Sequence, residues 1–139
     1  MRVAAHPELY DAAPDVPFLR GTRCSQCEQV HFPPLAIGCQ VCGATEIQLI
    51  NAPLAAAGTA FAVAEVHFGP AKTSTPFTVV EVVLDGGPLI RAMAHPDSPP
   101  PRIGDRVAAR WWVIDVDAQG DEVVEPAFAA TEATRAVRA

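Results

Sequence analysis

The sequence predicts a mainly β protein in which a small four-cysteine module precedes a barrel or sandwich of five short strands. Two observations lead to this class. All four cysteines fall into two Cys-x-x-Cys pairs near the N-terminus, and five apolar runs bounded by turn signals fill most of the remaining chain. Hydrophobic residues make up 50% and charged residues 19% of the 139 residues, which is typical of a globular domain with its own core.

The first segment, residues 1–17, reads as an irregular or partly helical lead-in, because "PELYDAA" could form a helical turn or two before the prolines that follow. It has no apolar stretch of signal-peptide length and carries Glu8 early, so no targeting segment is expected. The longest uncharged stretch, residues 47–64, contains Pro53 and Gly58, which disfavours a membrane-spanning helix. The sequence therefore predicts a cytoplasmic protein without a membrane anchor.

The cysteine module occupies residues 18–50, where the pairs Cys24–Cys27 and Cys39–Cys42 are separated by eleven residues. Zinc takes four tetrahedral ligands, and a Cys-x-x-Cys turn directs two sulfurs at one point. Two such turns complete a closed four-thiolate site that has no open position for a substrate. The spacing therefore predicts a zinc ribbon with one structural zinc.

Other uses of the cysteines fit less well, although an iron centre would use the same four ligands. A thioredoxin-type redox pair needs a βαβ context that the sequence does not offer, and two disulfides would require an exported protein. A ribbon that has lost its metal is disfavoured because all four sulfurs are present. His31, inside the module, is expected on the surface, with a hydrogen bond to a cysteine sulfur as the alternative.

Residues 51–129 are predicted to form the β-domain, and the alanine-rich residues 130–139 a flexible tail. The Asp-Gly turn at residues 85–87 marks a hairpin, whereas the loop "HPDSPPP" can be neither a helix interior nor a central strand. Both faces of the second strand are mostly apolar, so one is expected inside the domain and the other against the ribbon or a partner. The predicted strands are residues 58–68, 76–84, 88–94, 106–116 and 122–128.

The sequence shows no complete catalytic constellation. None of its three serines lies in a nucleophile-elbow context, and no glycine-rich phosphate loop is present. Three strand carboxylates could pair as acid and base, but cross-strand salt bridges to arginines are the simpler expectation. These carboxylates are Glu65, Glu81 and Glu125, and the arginines are Arg91, Arg106 and Arg110. We therefore expect a protein that binds or scaffolds, with no catalytic residue of its own.

Trp111 and Trp112 are neighbours on the fourth predicted strand, so they point to opposite faces. One of them is expected in the core of the domain. Trp112 shares its face with Arg110 and is the better candidate for exposure, since Trp and Arg dominate interface hot spots. A core position for both, with the ribbon covering the outer face, is the alternative. The loop at residues 70–76 is a further candidate contact surface.

The charge balance disfavours a nucleic-acid partner. The chain has 10 basic and 16 acidic residues, a formal net charge of −6, and a single lysine, Lys72. Binding to the phosphate backbone draws its affinity from Lys and Arg, and single-strand grooves add aromatic side chains, which make up only 6% here. A stand-alone barrel that binds single-stranded nucleic acid is retained only as the alternative.

The order of these parts resembles the DUF35 family, in which a rubredoxin-like zinc ribbon precedes an OB-fold. The resemblance covers residues 18–129 and rests on "FPP" inside the ribbon, on "TPFTVVEVVLDGGPLIRAMA" and on "IGDRVAARWWVIDVDAQGDEVVEPAF". Two features depart from the family pattern. The helical segment that usually comes first is truncated or replaced here, and Glu28 stands where a glycine commonly follows the first cysteine pair.

The resemblance implies an accessory role. Members of the family pair with thiolase-fold proteins, including thiolases, acyltransferases and the aldolases and hydratases of steroid side-chain breakdown. Their OB-fold docks on the partner and can help enclose the acyl chain or CoA. By resemblance, this chain is a non-catalytic subunit with acyl-CoA at or near the interface, and Arg110, Trp111 and Trp112 are its candidate contacts. A self-sufficient CoA-thioester enzyme is a further, less favoured interpretation.

Overall fold

The computed structural model describes residues 1–69 and 76–134, so residues 70–75 of the candidate loop and 135–139 of the predicted tail lie outside the described part. Within these ranges the strands form a six-stranded sheet of order β1-β9-β8-β5-β6-β7 and a three-stranded sheet of order β3-β2-β4. No helix of the described residues is long and apolar enough to cross a membrane. The strands are β1 (Arg2–Ala4), β2 (Phe18–Cys24), β3 (Val30–His31), β4 (Leu49–Ala55), β5 (Ala57–Val66), β6 (Phe77–Leu84), β7 (Leu89–Met93), β8 (Arg106–Val116) and β9 (Glu122–Ala130), with a 3-10 turn at Glu46–Gln48.

Strands β5 to β9 form a five-stranded barrel with OB-fold topology. Strand β5 pairs with both β6 and β8, and the β6–β7 and β8–β9 hairpins extend the sheet on either side. The barrel closes where Ala94, just after β7, bridges Phe128 of β9 in parallel, with the His95 N–H donating to the Phe128 carbonyl at 2.8 Å. The prediction of a mainly β fold with a ribbon and a five-stranded barrel is confirmed.

The barrel interior is filled by β-branched side chains around one aromatic ring. Side chains alternate along β6, so Val80 and Val82 point inward while Val83 lies on the outer face and is exposed. Gly58 of β5 passes so close to β6 that a Cβ there would collide with the Val83 carbonyl oxygen, which is why glycine occupies this position. The core side chains include Val80, Val82, Leu84, Ile90, Val107 and Phe128.

The three-stranded sheet joins the ribbon to the barrel. Strand β4 pairs with β2 along its whole length, from Cys24 opposite Leu49 to Phe18 opposite Ala55. At one end Leu19 belongs to the barrel core, as does Leu54 opposite it, whereas at the other end Cys24 belongs to the cysteine cluster. The boundary predicted between residues 50 and 51 falls inside β4, and the division into domains stays a prediction.

The lead-in is more ordered than the sequence indicated. The prediction of an irregular or partly helical segment is wrong for residues 2–4, because β1 pairs in parallel with β9. Tyr10 is buried and its hydroxyl donates to the Val124 carbonyl at 2.9 Å. The Trp111 ring lies 5.8 Å from the Tyr10 ring, and its Nε1 donates to the Pro14 carbonyl at 2.8 Å. The lead-in therefore packs onto the barrel beside Trp111.

Candidate metal centre and barrel groove

The four cysteines converge at the end of the three-stranded sheet that lies away from the barrel core. All four sulfur atoms lie within 4.8 Å of one another, and the Cys24–Cys42 and Cys27–Cys39 pairs have Sγ–Sγ distances of 3.6 Å. A tetrahedral zinc ion with Zn–S bonds of about 2.3 Å requires sulfur–sulfur separations of roughly 3.8 Å. The donor set therefore fits one tetrahedral ion with every position filled, which is a structural and not a catalytic arrangement.

The two Cys-x-x-Cys turns repeat one backbone design. In the first turn the Glu28 N–H donates to the Cys24 carbonyl at 2.7 Å, and in the second the Gly43 N–H donates to the Cys39 carbonyl at 3.1 Å. The φ angle is 66° at Glu28 and 76° at Gly43. Only glycine adopts this left-handed backbone without strain. Glu28 therefore leaves the shape of the turn intact and makes the first turn the strained one.

Backbone amides favour the thiolate form of the first cysteine of each pair. The amide of Cys27 is the main cause of a lowered pKa at Cys24, which falls to about 7, and the amide of Cys42 likewise lowers the pKa of Cys39. At Cys27 the Gln29 amide also lowers the pKa, but burial and hydrogen bonds with the neighbouring thiols outweigh it and raise the pKa to about 12. Without metal, the site therefore retains protons that a metal ion must displace.

His31 lies beside the cysteine cluster, so the expectation of a free surface position was wrong and the alternative was right. Strand β3 pairs with β2 and places His31 opposite Thr22. The Nε2 atom of the ring lies 3.4 Å from the Cys39 sulfur. The sequence signal for this contact was the position of a histidine inside the module, but pairing of β3 with β2 is what brings the ring to the sulfur.

A groove of about 570 Å³ crosses the outer side of the barrel beside Trp112. The ring of Trp112 is half-buried and forms part of its wall, whereas Trp111 turns away to the lead-in. Arg110 is exposed and donates from Nη2 to the Ser98 hydroxyl at 2.6 Å. The structure therefore separates the three sequence candidates into a pair beside the proline-rich loop and one packing residue. Further lining residues are Phe77, Met93, His95, Pro100 and Ile114.

His95 is a residue of this groove that sequence reasoning did not single out. It is only 6% exposed. Its Nδ1 accepts the Asp97 N–H at 3.2 Å, and its Nε2 lies 3.4 Å from the Trp111 carbonyl. A carbonyl can only accept, so Nε2 donates to Trp111 while Nδ1 accepts from the loop. These contacts make His95 a residue that anchors the start of the proline-rich loop.

Two of the three strand carboxylates lie beside a basic side chain. Glu81 pairs with Arg91 at 3.2 Å, as the sequence suggested, and Glu65 lies 3.6 Å from His67. The expectation that Arg106 would pair with a strand glutamate was wrong, because it binds Asp85 at 2.8 Å. Arg110 contacts Ser98 instead of a glutamate. Burial raises the pKa of the remaining carboxyl group, Glu125, which is half-buried.

Three comparisons relate this chain to known proteins. The family described as "ChsH2, rubredoxin-like zinc ribbon domain" matches residues 11–48. The benzoylsuccinyl-CoA thiolase subunit BbsA of Thauera aromatica is 33% identical over 75 residues, which cover 52% of this chain and 50% of BbsA. The chain thus matches about half the length of this curated relative.

The third comparison concerns a solved structure, Ltp2-ChsH2(DUF35) aldolase. The match has a TM-score of 0.62 and 23% sequence identity, and it covers 81% of this chain and 84% of the solved chain. This likeness shows the fold. Together with the ribbon match and the identity to BbsA, it confirms the resemblance to the DUF35 family and the rubredoxin-like character of the ribbon.

Proposed function

We propose that this chain is a cytoplasmic, non-catalytic accessory subunit that docks on a thiolase-fold partner acting on acyl-CoA thioesters. The observation that carries the proposal is the 33% identity to BbsA, itself a subunit of a thiolase. The fold supports it, because the similar solved structure is that of an Ltp2-ChsH2(DUF35) aldolase. The partner's reaction is accordingly of the thiolase, acyltransferase, aldolase or hydratase type.

The chemistry of the chain is consistent with a supporting role. The cysteine cluster fits a closed four-thiolate ion that offers no position to a substrate. Glu65 and Glu81 each lie beside a basic partner, and both ring nitrogens of His95 contact backbone groups. The nucleophile and the general base are therefore assigned to the partner, and structural zinc is the cofactor of this chain.

The docking surface in this proposal is the groove beside Trp112 together with the part of β8 that follows it. Val113, Ile114 and Val116 are 43%, 42% and 57% exposed, so this end of the strand presents several apolar side chains to a partner. Trp112 forms part of the groove wall and Arg110 contacts Ser98 of the same lining; Trp and Arg are among the residue types that most often carry binding energy. The volume of about 570 Å³ lies in the range of small-ligand sites, which supports the proposal that acyl-CoA binds at or near this interface.

The proposal is tested by co-expressing the chain with the thiolase-like protein encoded beside it. A stable hetero-oligomer is expected in gel filtration, and the complex is expected to turn over acyl-CoA faster than the partner alone. Separate elution combined with full activity of the isolated partner would overturn the proposal. Binding of a single-stranded oligonucleotide at physiological salt, with no effect on the partner, would favour the alternative of a nucleic-acid module.

The assignment of the surface is tested separately with Trp112→Ala and a matched control, Ile37→Ala. Both remove exposed apolar area, but Ile37 lies on the ribbon and is 88% exposed. Loss of a hot-spot tryptophan typically costs at least about 2 kcal/mol, which corresponds to roughly a 30-fold weaker Kd. The ribbon control is expected to change the Kd less than about twofold, because an isolated exposed side chain contributes little. A larger increase in Kd for Ile37→Ala than for Trp112→Ala would indicate an interface on the ribbon.

A further inference from the structure

The backbone on both sides of His31 fixes the position of its ring. The residue ends the two-residue strand β3, which pairs with β2 through Thr22 opposite His31 and Arg23 opposite Val30. Beyond the strand, the Leu35 N–H donates to the Thr22 hydroxyl at 3.3 Å, which ties the following loop to the same strand. The approach of Nε2 to the Cys39 sulfur therefore follows from strand pairing and not from a free side-chain rotation.

The direction of the hydrogen bond follows from the chemistry of the sulfur. A metal-bound cysteine is a thiolate, which has no hydrogen to donate. The imidazole must therefore donate its Nε2–H across the 3.4 Å to Cys39. Cys24 holds the equivalent position in the first turn. Within the described part of the chain, its sulfur contacts the Cys42 sulfur and no histidine. The two turns thus share their backbone design but differ in this one side-chain donor.

The donor acts on a sulfur that is buried. Four thiolates around Zn²⁺ leave a net charge of 2−, and Cys39 is only 5% exposed. A buried charge is tolerated when hydrogen bonds satisfy it. The Val41 N–H lies 3.4 Å from the same sulfur, and the imidazole adds a side-chain donor on the side where β3 passes. Both donors stabilise the thiolate form that the metal requires.

We propose that His31 is a positioning residue of the metal centre, which retains the ion by donating its Nε2–H to Cys39 without itself being a ligand. The four sulfurs already complete a tetrahedron, so the ring has no position on the ion. Loss of a group that hydrogen-bonds a metal ligand typically lowers metal affinity by roughly 10- to 100-fold. The role assigned to His31 does not depend on which protein the chain docks on.

The test uses the full zinc-loaded chain and the variants His31→Phe and His31→Gln, with His67→Phe as the control. Phenylalanine removes the donor, glutamine retains an N–H, and His67 lies after β5 with 66% of its side chain exposed. Zinc release to a chromophoric chelator is expected to be roughly 10-fold faster in His31→Phe, intermediate in His31→Gln and unchanged in the control. Zinc stoichiometry should remain one per chain in all of them.

Cobalt substitution separates a donor from a mere packing residue. A donor to the sulfur stabilises the thiolate, so its removal should shift the sulfur-to-cobalt charge-transfer band to longer wavelength while the tetrahedral four-sulfur ligand-field bands persist. His31→Gln should restore part of the shift. An unshifted band together with wild-type zinc release in His31→Phe would overturn the proposal. Ligand-field bands that change to a mixed nitrogen–sulfur set between wild type and variant would also overturn it, because His31 would then be a ligand.

Discussion

The two ends of the three-stranded sheet are held together by different forces. At the barrel end, Leu19 and Leu54 belong to a core of twelve buried side chains within the described part of the chain. At the ribbon end, the buried cluster consists of Cys24, Cys39 and Ala44, while nearby apolar residues such as Ile47 remain 82% exposed. So small an apolar cluster cannot offset the entropy of ordering its loops. One continuous sheet therefore carries a core-held end and a metal-held end.

The largest expected effect is the loss of a metal ligand in Cys39→Ser. Structural zinc contributes apparent binding free energies of about 10–16 kcal/mol in small zinc modules, so the ribbon end should unfold while the barrel keeps its thermal transition. Zinc content and limited proteolysis between residues 25 and 48 measure this outcome. Gln40→Ser is the matched control on the same exposed loop. Full zinc content in Cys39→Ser would contradict the claim that this cysteine helps to hold the ribbon end through the metal.

At the barrel end, a core substitution is expected to reduce stability without loss of zinc. Phe128 is 1% exposed in the core, and its replacement by alanine is expected to lower the free energy of unfolding by about 3–5 kcal/mol. Zinc stoichiometry should be unchanged, because the ring makes no contribution to the cysteine cluster. Urea unfolding followed by zinc analysis checks both statements, and Phe68→Ala is the exposed control. If Phe128→Ala does not fold, Phe128→Leu should show a smaller loss, again with full zinc content.

A smaller effect distinguishes the two turns within the metal-held end. Glu28→Gly relieves a left-handed backbone and should stabilise the zinc-loaded ribbon by about 1 kcal/mol. Gly43→Ala should destabilise it by a similar amount, and a Cβ at that position has no neighbour within 4 Å, so only backbone strain acts. The midpoint of denaturant-induced zinc release measures both. Equal midpoints for all three proteins would contradict the strain assigned to Glu28.

The smallest effect is electrostatic and lies on the barrel surface. Two 2.8 Å bonds from Arg106 lower the pKa of Asp85. A carboxyl group with a lowered folded-state pKa stabilises the protein above its unfolded value of about 4, and this contribution is lost as the pH falls through the folded value. Both side chains are about half exposed, so the contribution is about 0.5 kcal/mol or less. Asp85→Asn should slightly reduce the loss of barrel stability as the pH falls into the acid range. An unchanged pH dependence of stability would show that the Asp85–Arg106 pair does not contribute to it.

The parts of the fold that the sequence predicted are those specified by short-range patterns. The five barrel strands follow from runs of alternating or β-branched residues and from the Asp-Gly turn, and the cysteine spacing indicated the metal centre. The missed features depend on pairing between distant segments. Strand β1 has three residues, too few to show a period, and it is defined by β9 about 120 positions later. Tyr10 is buried for the same reason, since its partner is Val124.

Side-chain partners were harder to predict than strands. Arg106 was expected to meet a strand glutamate, but it lies opposite Thr59 of β5 and its side chain binds Asp85 in the turn after β6. The contact of His31 with Cys39 likewise required the register of β3 on β2. A one-residue shift in either register would point these side chains to the opposite face. Sequence patterns specify the faces of a strand well, but they leave open which strand lies beside it.

Hydrogen–deuterium exchange of the intact chain, compared before and after complete removal of zinc by a chelator, distinguishes the part of the sheet held by metal from the part held by the apolar core. Because the ion holds only the ribbon end, amides between residues 24 and 48 should lose their protection while those of β5, β6, β8 and β9 exchange as before. The barrel end of β2 and β4, around Leu19 and Leu54, should stay protected with the barrel. Equal loss of protection in ribbon and barrel, or an unchanged ribbon in the metal-free chain, would contradict a sheet held by metal at one end and by an apolar core at the other.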